Sequence, residues 1–157
     1  MQKITPFLWF NDNAEEAVSF YMSVFPDSRI VHSSRTGDAG PGPKGKILVM
    51  TFELAGQRFM ALNGGPQFKF TEAISLLVNV ESQAELDAIW AKLVDGGSPQ
   101  ACGWLKDRFG LSWQIVPSML GDLMSDKDAA KSSRVMQALL KMVKLDIAEL
   151  KRAYDGA

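Results

Sequence analysis

The feature that most constrains this chain is an internal repeat. Residues 3–10 carry Ile4, Phe7, Leu8, Trp9 and Phe10, strand-favouring side chains that stop at Asn11-Asp12-Asn13. From there Ala14, Ala17, Val18, Tyr21, Met22 and Phe25 recur at steps of three and four, which predicts an amphipathic helix. Asn13 is placed to cap it, and Glu15 and Glu16 fall in the first turn, where the helix dipole favours negative charge. Pro26-Asp27 stops it. Three strands are expected next, at residues 29–35, 47–54 and 58–62, with a Gly/Pro-rich loop at 37–45 and a hairpin turn at Ala55-Gly56-Gln57. The order then restarts. Residues 73–80 read as a strand, Ser82 as a cap, and Leu86, Ile89, Trp90, Leu93 and Val94 as a helical stripe ended by Gly96-Gly97. Strand segments near 100–106 and 111–116 flank Asp107-Arg-Phe-Gly110, which has the residues of a type I turn. Setting residue 4 against residue 74 pairs Ile4 with Ile74, Thr5 with Ser75, Ala14 with Ala84 and Phe20 with Trp90. The repeated order strand, helix, three strands outweighs those few identities.

After Pro117 the pattern turns helical. Val135, Leu139 and Val143, with Met136 and Leu140 beside them, form one stripe, and Asp146 caps a last helix carrying Ile147, Leu150 and Tyr154. So wide a stripe has to dock, either on its own domain or on a second subunit. The 157 residues suit one domain able to bury about two thirds of its surface without staples. With 17 basic and 18 acidic side chains there is no electrostatic footprint for nucleic acid or an anionic membrane. One cysteine excludes an internal disulfide. No apolar run approaches a membrane span and the first residues lack an export signal, so a cytoplasmic location is expected.

Four segments carry a family resemblance: Ile4-Thr-Pro-Phe-Leu-Trp-Phe-x-x-Asn-Ala-Glu-Glu-Ala with Phe20-Tyr21; Phe59-Met-Ala-Leu-Asn-Gly-Gly65; Cys102-Gly-Trp-Leu-Lys-Asp-Arg-Phe-Gly-Leu-Ser-Trp-Gln-Ile-Val-Pro117; and Arg134-Val-Met-Gln-Ala-Leu-Leu-Lys-Met. Over nearly its whole length the chain resembles the PhnB-like branch of the vicinal oxygen chelate superfamily, which includes glyoxalases and bleomycin-resistance proteins. Members of this branch often carry the name 3-demethylubiquinone 3-methyltransferase. The resemblance implies an α+β, glyoxalase-like fold of two βαβββ modules in one domain, residues 1–66 and 67–117, each a curled mixed sheet around a pocket. A helical tail at 118–157 and a homodimer are implied with it.

Metal-dependent relatives hold a divalent ion with His, Glu or Gln from the first and last strand of each module. Carried over, those positions fall on Thr5, Ala61, Ser75 and Gln114, none of them a His or a carboxylate. Divalent ions favour imidazole, thiolate or carboxylate, and His32 is the only histidine, so no metal and no cofactor are expected. The methyltransferase name finds no residue either. A Rossmann-type adenosylmethionine site needs a glycine-rich turn after its first strand, where this chain has Phe10-Asn-Asp-Asn-Ala.

Strand alternation turns Thr5, Phe7 and Trp9 to one face, and likewise Phe59, Ala61 and Asn63, Ser75, Leu77 and Asn79, and Ser112, Gln114 and Val116. If these faces line the pocket, it suits an uncharged organic ligand; the same composition also describes a filled core. The expected ligand-binding set is Thr5, Trp9, Asn63, Ser75, Cys102, Trp104 and Gln114, with Gln114 and Cys102 as candidate catalytic groups. Each has a plainer alternative. A free cysteine without a nearby base is more often a small buried hydrophobe. Trp104 and Trp113 serve packing, on each other or on neighbours, as readily as a ligand. A lone histidine such as His32 is more often structural than a general base. The turn charges Lys106, Asp107 and Arg108 are more simply solvated than an anion clamp. Gly40 to Lys46 matches phosphate-loop spacing by accident, since Pro41 and Pro43 remove amide donors and Ile47 replaces the hydroxyl residue. The expectation is a metal-independent binder of a small organic molecule, its catalysis left open. The alternatives are a ligand-sequestering dimer and a dimeric interaction module.

Overall fold

The structure, a computed structural model, describes residues 2–40 and 42–157; Pro41 of the phosphate-loop match lies outside them. The chain forms two compact units that divide between Phe70 and Thr71. In the first, β1 (Phe7–Phe10), α1 (Ala14–Val24), β2 (Ser28–Arg35), β3 (Ile47–Leu54) and β4 (Gln57–Asn63) follow in order. Their sheet runs β1-β4-β3-β2, with β1 parallel to β4 and the other pairs antiparallel. The second unit repeats it with β5 (Ser75–Val80), α2 (Gln83–Val94), β6 (Ser98–Pro99), β7 (Trp104–Lys106) and β8 (Ser112–Pro117), in the order β5-β8-β7-β6. The expected strand–helix–three-strand repeat is therefore present in both.

Each helix covers one sheet face. In the first unit Leu8, Phe10, Met50, Phe52, Leu54, Phe59 and Ala61 are buried, as are Ala14, Ala17, Val18 and Tyr21 of α1. Phe52 and Phe59 stack with centroids 5.6 Å apart. In the second, Val80, Leu105, Trp113 and Ile115 are buried with Leu86, Trp90 and Leu93 of α2. Burying such side chains stabilises a fold by about 1.5–3 kcal/mol each. The opposite faces keep large apolar groups in the open, Phe7 in the first unit and Leu77 in the second.

Two local expectations change. Asn13 makes no side-chain cap bond; Asn63 Oδ1, from the end of β4, accepts the Ala14 amide at 2.9 Å instead. A cap from 49 residues away leaves no local signature. Ser82 behaves as expected, accepting the Glu85 amide at 3.1 Å. The strand expected across residues 100–106 is interrupted by a turn of 3-10 helix, Ala101–Gly103, in which Cys102 takes left-handed angles (φ 61°, ψ 33°). Pro99 lacks an amide for the ladder, so β6 ends there.

The tail docks on its own second unit. It comprises α3 (Leu120–Met124), α4 (Ala129–Leu139) and α5 (Ile147–Asp155). The amides of Cys102 and Gly103 donate to the carbonyls of Met142 and Val143 at 2.9 and 2.7 Å. Gln83 of α2 donates to the Leu145 carbonyl at 3.1 Å and accepts the Ile147 amide at 2.8 Å, and Leu145 is fully buried. Asp146 caps α5 as expected, accepting the Glu149 amide. Among the described residues no helix is long and apolar enough to cross a membrane.

Candidate functional site

Of the expected binding residues, Ser75 and Gln114 are in direct contact. β5 and β8 run parallel with Ser75 opposite Ser112 and Leu77 opposite Gln114, which puts Ser75, Leu77, Ser112 and Gln114 on the face away from α2. Gln114 Nε2 donates to Ser75 Oγ at 2.9 Å. Trp104 pairs with Gln114 from β7 and extends the same face as a half-buried aromatic. Cys102 lies two residues before Trp104 in the 3-10 turn, half-buried, its backbone held by Met142.

Ser112 is a member of this face that sequence reasoning listed without a role. It is fully buried, and its hydroxyl has no hydrogen-bond partner among the described residues. An unmade bond at a buried hydroxyl costs about 1–3 kcal/mol. Nothing in the local sequence distinguishes Ser112 from a satisfied strand serine.

The charged turn is neither an anion clamp nor simply solvated. Asp107 is buried, and its Oδ1 accepts the amides of Phe109 and Leu111 at 2.8 and 3.1 Å while Oδ2 accepts the Trp113 indole N–H at 2.9 Å. Arg108 pairs with Asp95 and Lys106 with Glu72. That ion pair with Lys106 is also the main reason the Glu72 carboxyl lies below its ordinary range. Trp113 faces α2 and Trp104 the opposite side, so the two indoles do not stack on each other.

In the first unit Thr5 precedes β1 instead of lying on it, with Gln2 Nε2 at 3.5 Å from its hydroxyl. Trp9 faces away from α1. Its indole donates to the Gly65 carbonyl at 2.9 Å and meets Phe68 edge-on at 4.9 Å. Gly64 permits this, because a Cβ there would come within 2.4 Å of the ring. Asn63 and Ala61 do not share the Trp9 face. The parallel register sets Ala61 beside Leu8, Leu62 beside Trp9 and Asn63 beside Phe10, so alternation counted along β4 alone misplaced both by one residue. Asn63 uses its amide at both ends, accepting from Ala14 and donating to the Ile47 carbonyl at 3.0 Å. His32 is exposed on the edge strand β2, opposite Thr51. Nearby on that sheet Glu53 bridges Arg58 and Arg29, which hold its carboxyl below the ordinary range, Arg58 the more strongly.

Two parallel-plus-antiparallel four-stranded sheets, each with a helix on one face, define an α+β protein of the glyoxalase type. A glyoxylase/bleomycin resistance protein/dioxygenase domain from Frankia has this fold (14% identity, TM-score 0.50, 74% of this chain and 93% of that one). The 3-demethylubiquinone-9 3-methyltransferase family profile matches residues 2–116, and the chain belongs to that PhnB-like family. It is 41% identical to a PhnB protein of Bacillus cereus that bears the same methyltransferase name, over 73% of this chain and 99% of that one, with a TM-score of 0.67. A protein of Pseudomonas aeruginosa is 28% identical over 74% and 98%, with a TM-score of 0.62. No curated protein matches the chain.

The groups that the fold and the family name bring to mind do not fit these residues. Of the carried-over ligand positions, Thr5 and Ser75 supply hydroxyls and Gln114 an amide, while Ala61 lies on the buried face beside Leu8, so no anionic or imidazole donor is offered. Among the described residues no cluster of three or more His, Cys, Asp or Glu is placed to hold a metal ion. A Rossmann-type adenosylmethionine site fits no better. Each sheet has one parallel pair, and the β1–α1 junction Asn11-Asp12-Asn13 contains no glycine.

Proposed function

We propose that the protein binds a small, uncharged organic molecule without a metal ion, on the open face carrying Ser75, Gln114 and Trp104. The observation that carries this reading is the Gln114–Ser75 hydrogen bond at two of the positions where metal-dependent relatives place ligands. Ser75 accepts the amide N–H, which leaves its own O–H available to donate, while the Gln114 amide oxygen has no partner among the described residues. An acceptor beside a donor suits a ligand with a hydroxyl next to a carbonyl. Trp104 and the half-exposed Leu77 add aromatic and apolar contact. Cys102, in the same unit, stands as a further contact, whereas Asn63 supports the fold of the first unit. Binding is the function proposed; Gln114 and Cys102 are the groups to test first for turnover. The setting proposed is a cytoplasmic homodimer, a single domain of residues 1–157.

A thermal-shift screen over quinones, phosphonates, adenosyl compounds and divalent metals tests the reading, since a ligand of the native state raises the melting temperature. The expected hit is an uncharged hydroxy-carbonyl or quinone compound that acts equally with chelator present and is lost in Gln114→Ala. A shift that requires metal, or one that survives Gln114→Ala, overturns it. A second reading, a dimeric interaction module, is favoured by one feature: Met136, Leu140 and Val143 are exposed along the tail.

A further inference from the structure

A cavity of about 550 Å³ opens in the first unit between the β1–α1 junction, the end of β4 and the base of the β2–β3 loop. Its size falls within the 300–1,000 Å³ of small-ligand sites. The walls are tied together by main-chain bonds. Thr36 donates to the Lys46 carbonyl at 2.8 Å and accepts from Gly45 at 2.9 Å, while Gly64 and Gly65 donate to the carbonyls of Phe10 and Asn11 at 2.8 and 3.0 Å. Asn63 joins the Ala14 amide to the Ile47 carbonyl across the floor.

Three charged side chains line this cavity, Asp12, Glu15 and Lys46, and among the described residues none of them forms an ion pair. Opposite charges thus share one cavity without meeting each other. Thr36 adds a neutral polar group to the same wall. It is 5% exposed, it lines the cavity, and its hydroxyl has no hydrogen-bond partner among the described residues. Among the described residues the only fully buried hydroxyl without a partner is that of Ser112, so Thr36 contributes a hydroxyl to the cavity wall and not an orphaned core group.

We propose that this cavity is a binding site for a small zwitterion. The ligand's ammonium group sits between the carboxylates of Asp12 and Glu15, and its anionic group meets the Lys46 ammonium and the Thr36 hydroxyl. A molecule carrying one charge satisfies only one wall and leaves the other unpaired. The proposal is independent of the Ser75–Gln114 face, which belongs to the other unit.

The test uses the full chain in amide NMR titrations with β-alanine, γ-aminobutyrate and ε-aminocaproate as zwitterions, against butyrate and butylamine as single-charge probes. At least one zwitterion is expected to give saturable shifts at Thr36, Gly64 and Gly65, and the single-charge probes to bind about tenfold or more weakly, as loss of a charge-assisted contact implies. Lys46→Met and Asp12→Asn should each weaken the zwitterion about tenfold. Thr36→Val, which keeps the shape and removes the hydroxyl, should weaken it without lowering the melting temperature. Shifts that rise linearly without saturating, equal responses to all five probes, or unchanged binding in Lys46→Met overturn the proposal.

Discussion

Gln114 and Ser75 meet through an amide N–H and a hydroxyl oxygen 2.9 Å apart, across the parallel pair β5–β8. The bond fixes the orientation of both side chains on a face whose neighbouring positions are Leu77 and Trp104. Removing either partner should cost little stability, about 0.5–1.5 kcal/mol, because both groups remain within reach of water. A double-mutant cycle of Ser75→Ala and Gln114→Leu should return a coupling energy of about 1 kcal/mol in urea unfolding. Additive effects would show that the contact is not formed in solution. In the same assay Ser112→Ala should leave stability unchanged or raise it, since the hydroxyl it removes is buried without a bond.

Asp107 behaves as a keystone of the turn. Its two oxygens take three N–H donors, and asparagine can offer only one acceptor atom. Asp107→Asn must therefore set its amide against the indole of Trp113 or against the backbone amides of Phe109 and Leu111. The expected loss is about 2–4 kcal/mol in urea unfolding followed by tryptophan fluorescence. Arg108→Ala, which removes an exposed ion pair, should cost under about 1 kcal/mol.

Asn63 and Asn13 give a sharper comparison. Asn63→Ala removes the acceptor for Ala14 N at the start of α1 and the donor to Ile47, and should cost about 1–2 kcal/mol. Asn13→Ala should be near neutral, because Asn13 makes no side-chain cap bond. Equal costs for the two, measured by chemical denaturation, would contradict this assignment.

These cases show where the sequence was readable. The two βαβββ orders followed from periodicity and turn residues, which are local properties. The caps of α2 and α5 at Ser82 and Asp146 were legible because each donor lies three residues from its acceptor. The cap of α1 was not, since Asn63 reaches Ala14 only after β1 and β4 pair. Register caused the other misplacement. A shift of one residue on β4 exchanges the faces of Ala61 and Leu62, and only the pairing with Leu8 and Trp9 decides between them. At the candidate site the Ser75–Gln114 contact was within reach, because the repeat put both on first and last strands of one module. The cavity at Thr36 and Lys46 was not, because a Gly/Pro-rich loop carries no pattern that specifies what its base will face.

The tail supplies a prediction in pH. Tyr154 of α5 donates its hydroxyl to Asp126 Oδ2 at 2.5 Å. This bond is the leading reason that the phenol lies above its usual value near 10 and the Asp126 carboxyl below its usual value near 4. For the phenol, raised in the folded chain, the stabilisation is complete below about pH 10 and is lost as pH climbs through the folded value. For the carboxylate, depressed in the folded chain, it is complete above about pH 4 and is lost as pH falls through the folded value. The link between residues 126 and 154 should therefore hold across the middle of the range and loosen at both ends. Tyrosine Cζ carbon shifts, with the Tyr154 signal assigned by Tyr154→Phe, report the alkaline limb directly. Asp126→Asn removes the leading cause and should bring the Tyr154 titration down toward the ordinary phenol value. A Tyr154 midpoint that does not move in Asp126→Asn would mean that Asp126 is not the group holding it.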